Sequence, residues 1–442
     1  MANRLRARVG LCSCATIAAA LAACVLAGAP AAEAATPPQQ DPFYRYEGAT
    51  PLGAIAPGTV LKTRTLSYHV LGIETPVKAV QLLYRSVGEL GEATVNVTSV
   101  LEPTWHFGPP PVISYQSFYD SLNPEDEPSY AISGGVTLGG LIPNVESILI
   151  APALLGGDAV VVTDTEGEGA DFAAGPEYGF NTIYGLRAAL SSPATGLAAT
   201  GKIGLIGYSG GAIATEWAAE LAPRYTPEVN RLIVGAAFGG TLVDPAHNLR
   251  YVEGSSTWAG VIPMALIGVG RAFHTDLKPY LSEYGLQLYE KLQRASIINV
   301  LGQYPGLTWS QLVKPQYPTP ESIPAYVEDA NRLIMGSGGT PTVPLFIGQG
   351  AGGELEGTPG DKPGIGPGDG VMIAGDVRTL AREYCSRGVP VDYVEYEHLS
   401  HVLAALQWLP EAVSWMVGRL IGFPAPQDCG AIAPGNPLTP LP

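Results

Sequence analysis

Charge is scarce in this sequence, and positive charge is scarcest. Only 14% of its 442 residues are charged, with 24 Lys and Arg against 40 Asp and Glu, a formal net charge of −16 at pH 7. That balance argues against nucleic acid or an anionic membrane as the main partner, since both would repel the chain. Cysteine is nearly as rare: there are five, and Cys12, Cys14 and Cys24 lie near the start, which leaves only Cys385 and Cys429 beyond it. No apolar run after the first part of the chain is long enough to span a bilayer, and no internal repeat is visible. What remains plentiful is the material of a core. Hydrophobic content of 46% excludes wholesale disorder, and the length suits two or three average domains, or one large domain with insertions.

The N-terminus reads as an address rather than as fold. Arg4, Arg6 and Arg8 precede an apolar run from Val9 to about Ala29, and Ala32-Glu33-Ala34 offers a small-x-small cleavage site. Residues 1–34 are therefore expected to be an export signal, cut after Ala34, and the mature chain to be secreted without a membrane span. Leu21-Ala22-Ala23-Cys24 also fits a bacterial lipobox, so a lipid anchor on Cys24 is the alternative. Against it, "VLAGAP" continues the apolar run past the cysteine. In an oxidising compartment two remaining cysteines are expected to pair. A Cys385–Cys429 bridge would close about 44 residues, worth about 4 kcal/mol in the chain-entropy account; two buried free thiols are the bland alternative.

Along the mature chain, residues 35–60 are rich in Pro, Ala and Gly and read as an extended arm. Strand character follows in "AVQLLYRSV", "EATVNVTSV", "PPVISYQSF", "DAVVVTDTEG", "KIGLIG" and "RLIVGAAFGG", with "NTIYGLRAALSS" helical between them. Strands alternating with helices every 30 to 45 residues or so predict a mostly parallel sheet with crossover helices. The alternation breaks after Gly240 and resumes at "TVPLFIGQG". Residues 35–240 and 340–442 are thus expected to form two parts of one α/β core, interrupted by a helical insertion at 241–339. Within it "VIPMALIGVG" is either a buried helix or the wall of an apolar channel. Residues 348–370 are too rich in Gly and Pro for a helix and read as a long loop, and the tail after Cys429 as loosely ordered.

One short segment carries chemistry. Gly207-Tyr208-Ser209-Gly210-Gly211 is weak as a motif by itself, because a chain with 55 glycines produces such pentads by accident. Its context is stronger: a short apolar strand ends at Ile206 and an alanine-rich helix starts at Ala212. A sharp strand-to-helix turn strains its central residue, tolerates only small neighbours, and exposes the serine oxygen above the sheet. Ser209 is therefore a candidate nucleophile, the alternative being a mere helix cap. A nucleophilic serine needs a base and a carboxylate that orients it. In hydrolases with this elbow the order is Ser, acid, His. His69 and His106 come too early, and His247 and His274 fall in the helical insertion, which leaves His398 and His401. For the acid, Glu354, Glu356, Asp361 and Asp369 all sit in the loop after "TVPLFIG". Asp369, directly before the helical pattern "VMIAGDVRTLAREYC", is the first choice and Asp361 the second; a capping role is the bland reading of Asp369. The N–H of Gly210 would be one oxyanion donor. A zinc reading of His398-x-x-His401 lacks further ligands nearby, so no metal or other cofactor is expected.

These residues, together with "SYQSFYDSLNPEDEPS", "GDAVVVTDTEG", "PLFIGQG…DGVM", "REYCSRGVPVDY" and "SHVLAALQWLPEAVSWMVGRLIGFPAPQDC", resemble the secretory lipase family, the lipase-A-like α/β-hydrolases of yeasts and actinobacteria. The resemblance spans about residues 40 to 430. It implies an α/β-hydrolase fold with a helical cap over an acyl-binding tunnel. It implies Ser209 as nucleophile, Asp369 as acid, His401 as base, and Asp120, after Tyr119, as the second oxyanion donor. It also implies hydrolysis of triacylglycerol-type esters at an oil–water interface. Two departures stand out. Glu127 occupies a position before Pro128-Ser129 where the family often has cysteine, so one disulfide to the cap is missing and a looser cap is expected. The loop before Asp369 is longer than usual. From the sequence, then, the expected protein is a secreted serine-dependent lipase working through an acyl-enzyme. A short-chain carboxylesterase or acyltransferase is the enzymatic alternative, and a non-catalytic envelope-binding protein is the alternative from another class.

Overall fold

The computed structural model describes residues 35–197 and 201–442. The export-signal reading of residues 1–34 and the lipid-anchor reading of Cys24 lie outside the described residues. The centre of the fold is a nine-stranded sheet in the order β1-β2-β3-β5-β4-β6-β7-β8-β9. Strands β1 (Val60–Val70), β2 (Ile73–Val87) and β3 (Ala93–Leu101) form an antiparallel flank. Then β4 (Val112–Gln116), β5 (Ala159–Thr163), β6 (Ile203–Tyr208), β7 (Ile233–Gly239), β8 (Leu345–Gly350) and β9 (Val391–Tyr396) run parallel to one another. This is the expected α/β-hydrolase architecture.

The parallel strands are apolar on both faces because helices cover both. On one face lie α1 (Gly175–Ser191) and α2 (Gly210–Tyr225). Their Ile183, Leu186, Trp217 and Leu221 meet Val161, Leu205 and Phe238 of the sheet. The odd-numbered strand residues Val161 and Leu205 turn one way; Val160 and Ile206 turn the other, toward Trp408 and Met416. Those two belong to the last helix.

Between β7 and β8 the chain makes no strand of this sheet. It runs through helices that include α3 (Pro245–Val252), α4 (Val261–Ala272), α5 (Glu283–Leu292) and α6 (Pro324–Arg332). Ile262, Met264, Ile267, Leu288, Leu292 and Trp309 build a second core there. After β8 come α7 (Ala374–Ser386) and, beyond β9, α8 (His401–Leu420). None of the helices among the described residues is long and apolar enough to cross a membrane.

Away from the site, the structure departs from the sequence reading in three places. Strand β1 was not anticipated: "VLKTRTLSYHV" is largely polar, because β1 is an edge strand paired only with β2 and only half-buried. The arm at 35–60 contains 3₁₀ turns at Pro42–Tyr44 and Leu52–Ala54. The tail after Cys429 is held rather than loose. Ile432 is buried, Asn436 donates to the Ile365 carbonyl and to Asp376, and Leu441 exchanges bonds with Asn331. Tying it at its root, Cys385 at the end of α7 is disulfide-bonded to Cys429, with a Cα–Cα distance of 5.5 Å.

Candidate active site

Strand β6 ends at Tyr208 and α2 begins at Gly210, so Ser209 alone makes the turn, at φ 55° and ψ −122°. Side chains rarely adopt such a backbone, and it persists only where the surroundings enforce it. Here they do. A Cβ on Gly207 would lie 2.2 Å from the Gly211 carbonyl oxygen, and one on Gly211 would lie 2.1 Å from that of Gln116. The Ser209 N–H is fixed by the Gly239 carbonyl at 2.9 Å. Its hydroxyl does not cap the helix. It lies 2.9 Å from His401 Nε2 instead.

His401 opens α8. The helix is seated by Trp408, whose indole occupies the space that glycines leave on two strands: a Cβ on Gly348 would come within 2.2 Å of it, and one on Gly239 within 3.0 Å. The His401 N–H donates to the Asp369 carbonyl at 2.7 Å, and its own carbonyl accepts from Tyr208 Oη at 2.8 Å. Ring Nδ1 is 2.8 Å from Asp369 Oδ2. That contact assigns the proton to Nδ1 in the neutral ring and leaves Nε2 as an acceptor for the serine hydroxyl. Burial works against a charged ring. The charge and hydrogen bond of Asp369, with the charges of Glu356 and Asp120, outweigh it and hold the imidazole above its ordinary pKa.

Asp369 is completely buried. One carboxylate oxygen accepts from the N–H groups of Val371 and Met372, at 3.0 and 2.8 Å; the other, which faces His401, also accepts from Gln349 Nε2 at 3.0 Å. The following helix begins only at Ala374 with Ile373 as its cap residue, later than the sequence pattern implied. Asp369 therefore closes a tight turn and is not that helix's cap. Asp361 and His398, the second choices, are both exposed, and the bonds to the serine run through Asp369 and His401.

Asp120 reaches the site from the loop after β4, with φ 37°. Its carbonyl accepts from the Ile297 N–H at 2.8 Å, and the next N–H, of Ser121, donates to Glu166 at 3.1 Å. Its carboxyl rests on Gly210, where a Cβ would fall 1.7 Å from Oδ1. Burial pushes this carboxyl up to about 7, against the opposing pull of His401 and with help from Glu146.

From Gly210 and Asp120 a cavity extends between aliphatic walls that include Leu249, Leu266, Val269 and Leu333. The segment "VIPMALIGVG" serves both roles left open for it. Met264 and Ile267 of α4 face the helical core, while Val261, Ala265, Leu266 and Val269 face the cavity. Among the described residues no cluster of His, Cys, Asp and Glu is arranged to hold a metal ion. Two neighbours of the histidine were not assigned a place there by sequence. The Trp258 ring meets the His401 ring edge-on at 5.2 Å, and Glu356 had been weighed only as one more loop carboxylate.

With this geometry in view, the comparisons are specific. The profile of the family described as secretory lipase matches residues 134–359. Lipase A of Arthroderma benhamiae is 31% identical over 90% of this chain and 83% of its own length. A protein of Mycobacterium tuberculosis described as a probable inactive lipase is 30% identical over 88% of this chain and 83% of its own. The crystal structure of Candida antarctica lipase A in its closed state superposes with a TM-score of 0.77 at 26% identity, covering 93% of this chain and 92% of that one.

Proposed function

The chain belongs to the secretory lipase family, and from that premise we propose that it is a secreted ester hydrolase that uses Ser209, His401 and Asp369. Membership makes it a lipase-type ester hydrolase; the mechanism, the substrate and the export are our reading. One observation carries it. The unbroken run of bonds Asp369–His401–Ser209 stands where an apolar cavity opens at Gly210 and Asp120.

In this mechanism the Ser209 hydroxyl passes its proton to His401 Nε2 while its oxygen adds to the ester carbonyl. Asp369 keeps the ring in the required tautomer and stabilises the imidazolium that forms. The N–H groups of Gly210 and Asp120 hold the oxyanion. His401 then protonates the departing alkoxide, and the acyl group remains on Ser209. Water attacks next, giving its proton to His401; as the second tetrahedral intermediate collapses, His401 returns that proton to Ser209 and the fatty acid leaves. The apolar walls suit a fatty acyl chain, which makes triacylglycerols the proposed substrate class. The helical segment 241–339 is then the cap over that chain.

A non-catalytic role is the second reading, and the relative described as a probable inactive lipase is the reason to keep it. A fluorophosphonate probe separates the two. The enzyme reading expects covalent labelling of Ser209, and loss of both labelling and ester hydrolysis in Ser209→Ala with folding retained. Labelling elsewhere, or substantial turnover by that variant, would overturn it. An acyl-length series then distinguishes a lipase from a short-chain esterase.

A further inference from the structure

The structure places a second carboxylate beside the histidine. Glu356 lies in a single 3₁₀ turn, Gly353–Glu356, in the loop between β8 and Asp369. One of its oxygens accepts from the Trp258 indole N–H at 2.8 Å; the other accepts from the Val402 N–H at 3.1 Å. Val402 is the residue after His401, and Trp258 is the residue whose ring meets the His401 ring. Glu356 thus joins three segments around one imidazole: the helical segment between β7 and β8, its own loop, and the first turn of α8. The first N–H groups of a helix have no partner inside it, and the partial positive charge there favours a carboxylate.

We propose that Glu356 is a positioning residue for the base: it fixes Trp258 and the start of α8 against His401, and its charge adds to that of Asp369 in raising the pH below which the ring is lost as a base. The inference rests on the reading of His401 as base. Each contact points the same way. Trp258 has a single indole N–H, and Glu356 accepts it, which fixes the indole's orientation against the imidazole. Gly370 fills the remaining gap, since a Cβ there would lie 2.9 Å from the indole nitrogen and 3.0 Å from the Glu356 carboxylate. The groups that face the ring are Asp369 and Glu356 from the loop, Asp120 from the loop after β4, Tyr208 from the end of β6, and Trp258. Of the three acids, Asp369 is bonded to the ring directly, and Asp120 is pushed toward the protonated form. Glu356 is the third, held to the ring's neighbours on both sides.

The test compares Glu356→Gln with Glu356→Asp in the full chain. A negative charge favours the imidazolium, so its removal should lower the pKa of His401. The acid limb of kcat/KM should move to lower pH by an amount on the order of half a unit or more in Glu356→Gln. In Glu356→Asp the charge stays and the limb should remain near that of wild type, even if the plateau falls. Glu356→Ser, which removes the charge and leaves room for water, carries the same expectation should the glutamine amide disturb folding. A merely structural role would lower the plateau in all three without moving the limb. Ring titration of His401, followed by NMR on histidine-labelled protein, reads the same shift without turnover. An unmoved titration in folded Glu356→Gln or Glu356→Ser overturns this inference. Absence of hydrolysis by wild type, with a shifted titration, would overturn the enzymatic reading alone.

Discussion

Ser209 holds its positive φ because glycines on both sides leave no alternative volume, and its hydroxyl is aimed by a histidine that arrives from the other end of the chain. At this scale the sequence was informative where chemistry follows chain order. Order reduced six histidines to His398 and His401, and the structure sets His401 against the serine while His398 stays exposed. Sequence could not show what depends on how loops fold back. Glu356 looked like any other loop acid, and nothing local to Trp258 indicates that it lies beside a histidine more than a hundred positions away. The two histidines provide the clearest experiment. His401→Ala should reduce kcat by about 10⁴-fold or more, since groups acting as a unit fail together. His398→Ala should stay within about tenfold of wild type. Steady-state kinetics on both variants, with folding checked by circular dichroism, would expose the wrong choice if the pattern reversed.

At the scale of elements, the parallel strands and their crossover helices were legible because burial on both faces leaves short, uniformly apolar runs such as "KIGLIG" and "RLIVGAAFGG". Strand β1 escaped because an edge strand that is half-buried has no such run, and the true start of α7 was hidden by the apolar turn Val371–Ile373. The element that matters most for the site is α8, since its first residue is His401 and its seat is decided far from that residue. Gly348 has no strained backbone to explain it; its reason is the indole of Trp408. Gly348→Ala should therefore overpack the interface, costing about 1–3 kcal/mol. Because the helix carries the histidine, kcat should fall as well. Denaturation midpoints together with kcat test this, and a variant with unchanged stability and turnover would show that the seat is not tight.

The whole molecule carries many buried and half-buried carboxyl groups. Burial raises Glu89 to about 8, Asp120, Glu146 and Asp171 to about 7, and Asp164 to about 6. It also raises Glu127, Glu166, Glu177 and Glu216 well above the ordinary carboxylate range. Unfolded, such groups titrate near pH 4. Between about pH 4 and 8 the native state thus binds more protons than the unfolded chain, and stability falls as pH rises. This contribution is complete below the unfolded pKa and is lost as each group passes its raised folded value. The net charge of −16 acts in the same direction. The melting temperature should be higher near pH 5 than near pH 8, and calorimetry that gave the opposite order would refute the account.

Chain order also has a consequence in time. A ribosome makes Ser209 well before His401, with the whole helical segment between them. Any chain cut short before α8 lacks the histidine that faces Ser209. If this protein hydrolyses lipid esters as proposed, the cell that makes it is itself bounded by lipid esters. Placing the proposed base on α8 means that unfinished copies would lack the group that activates Ser209. On that reading the chain becomes an ester hydrolase only once α8 has been made.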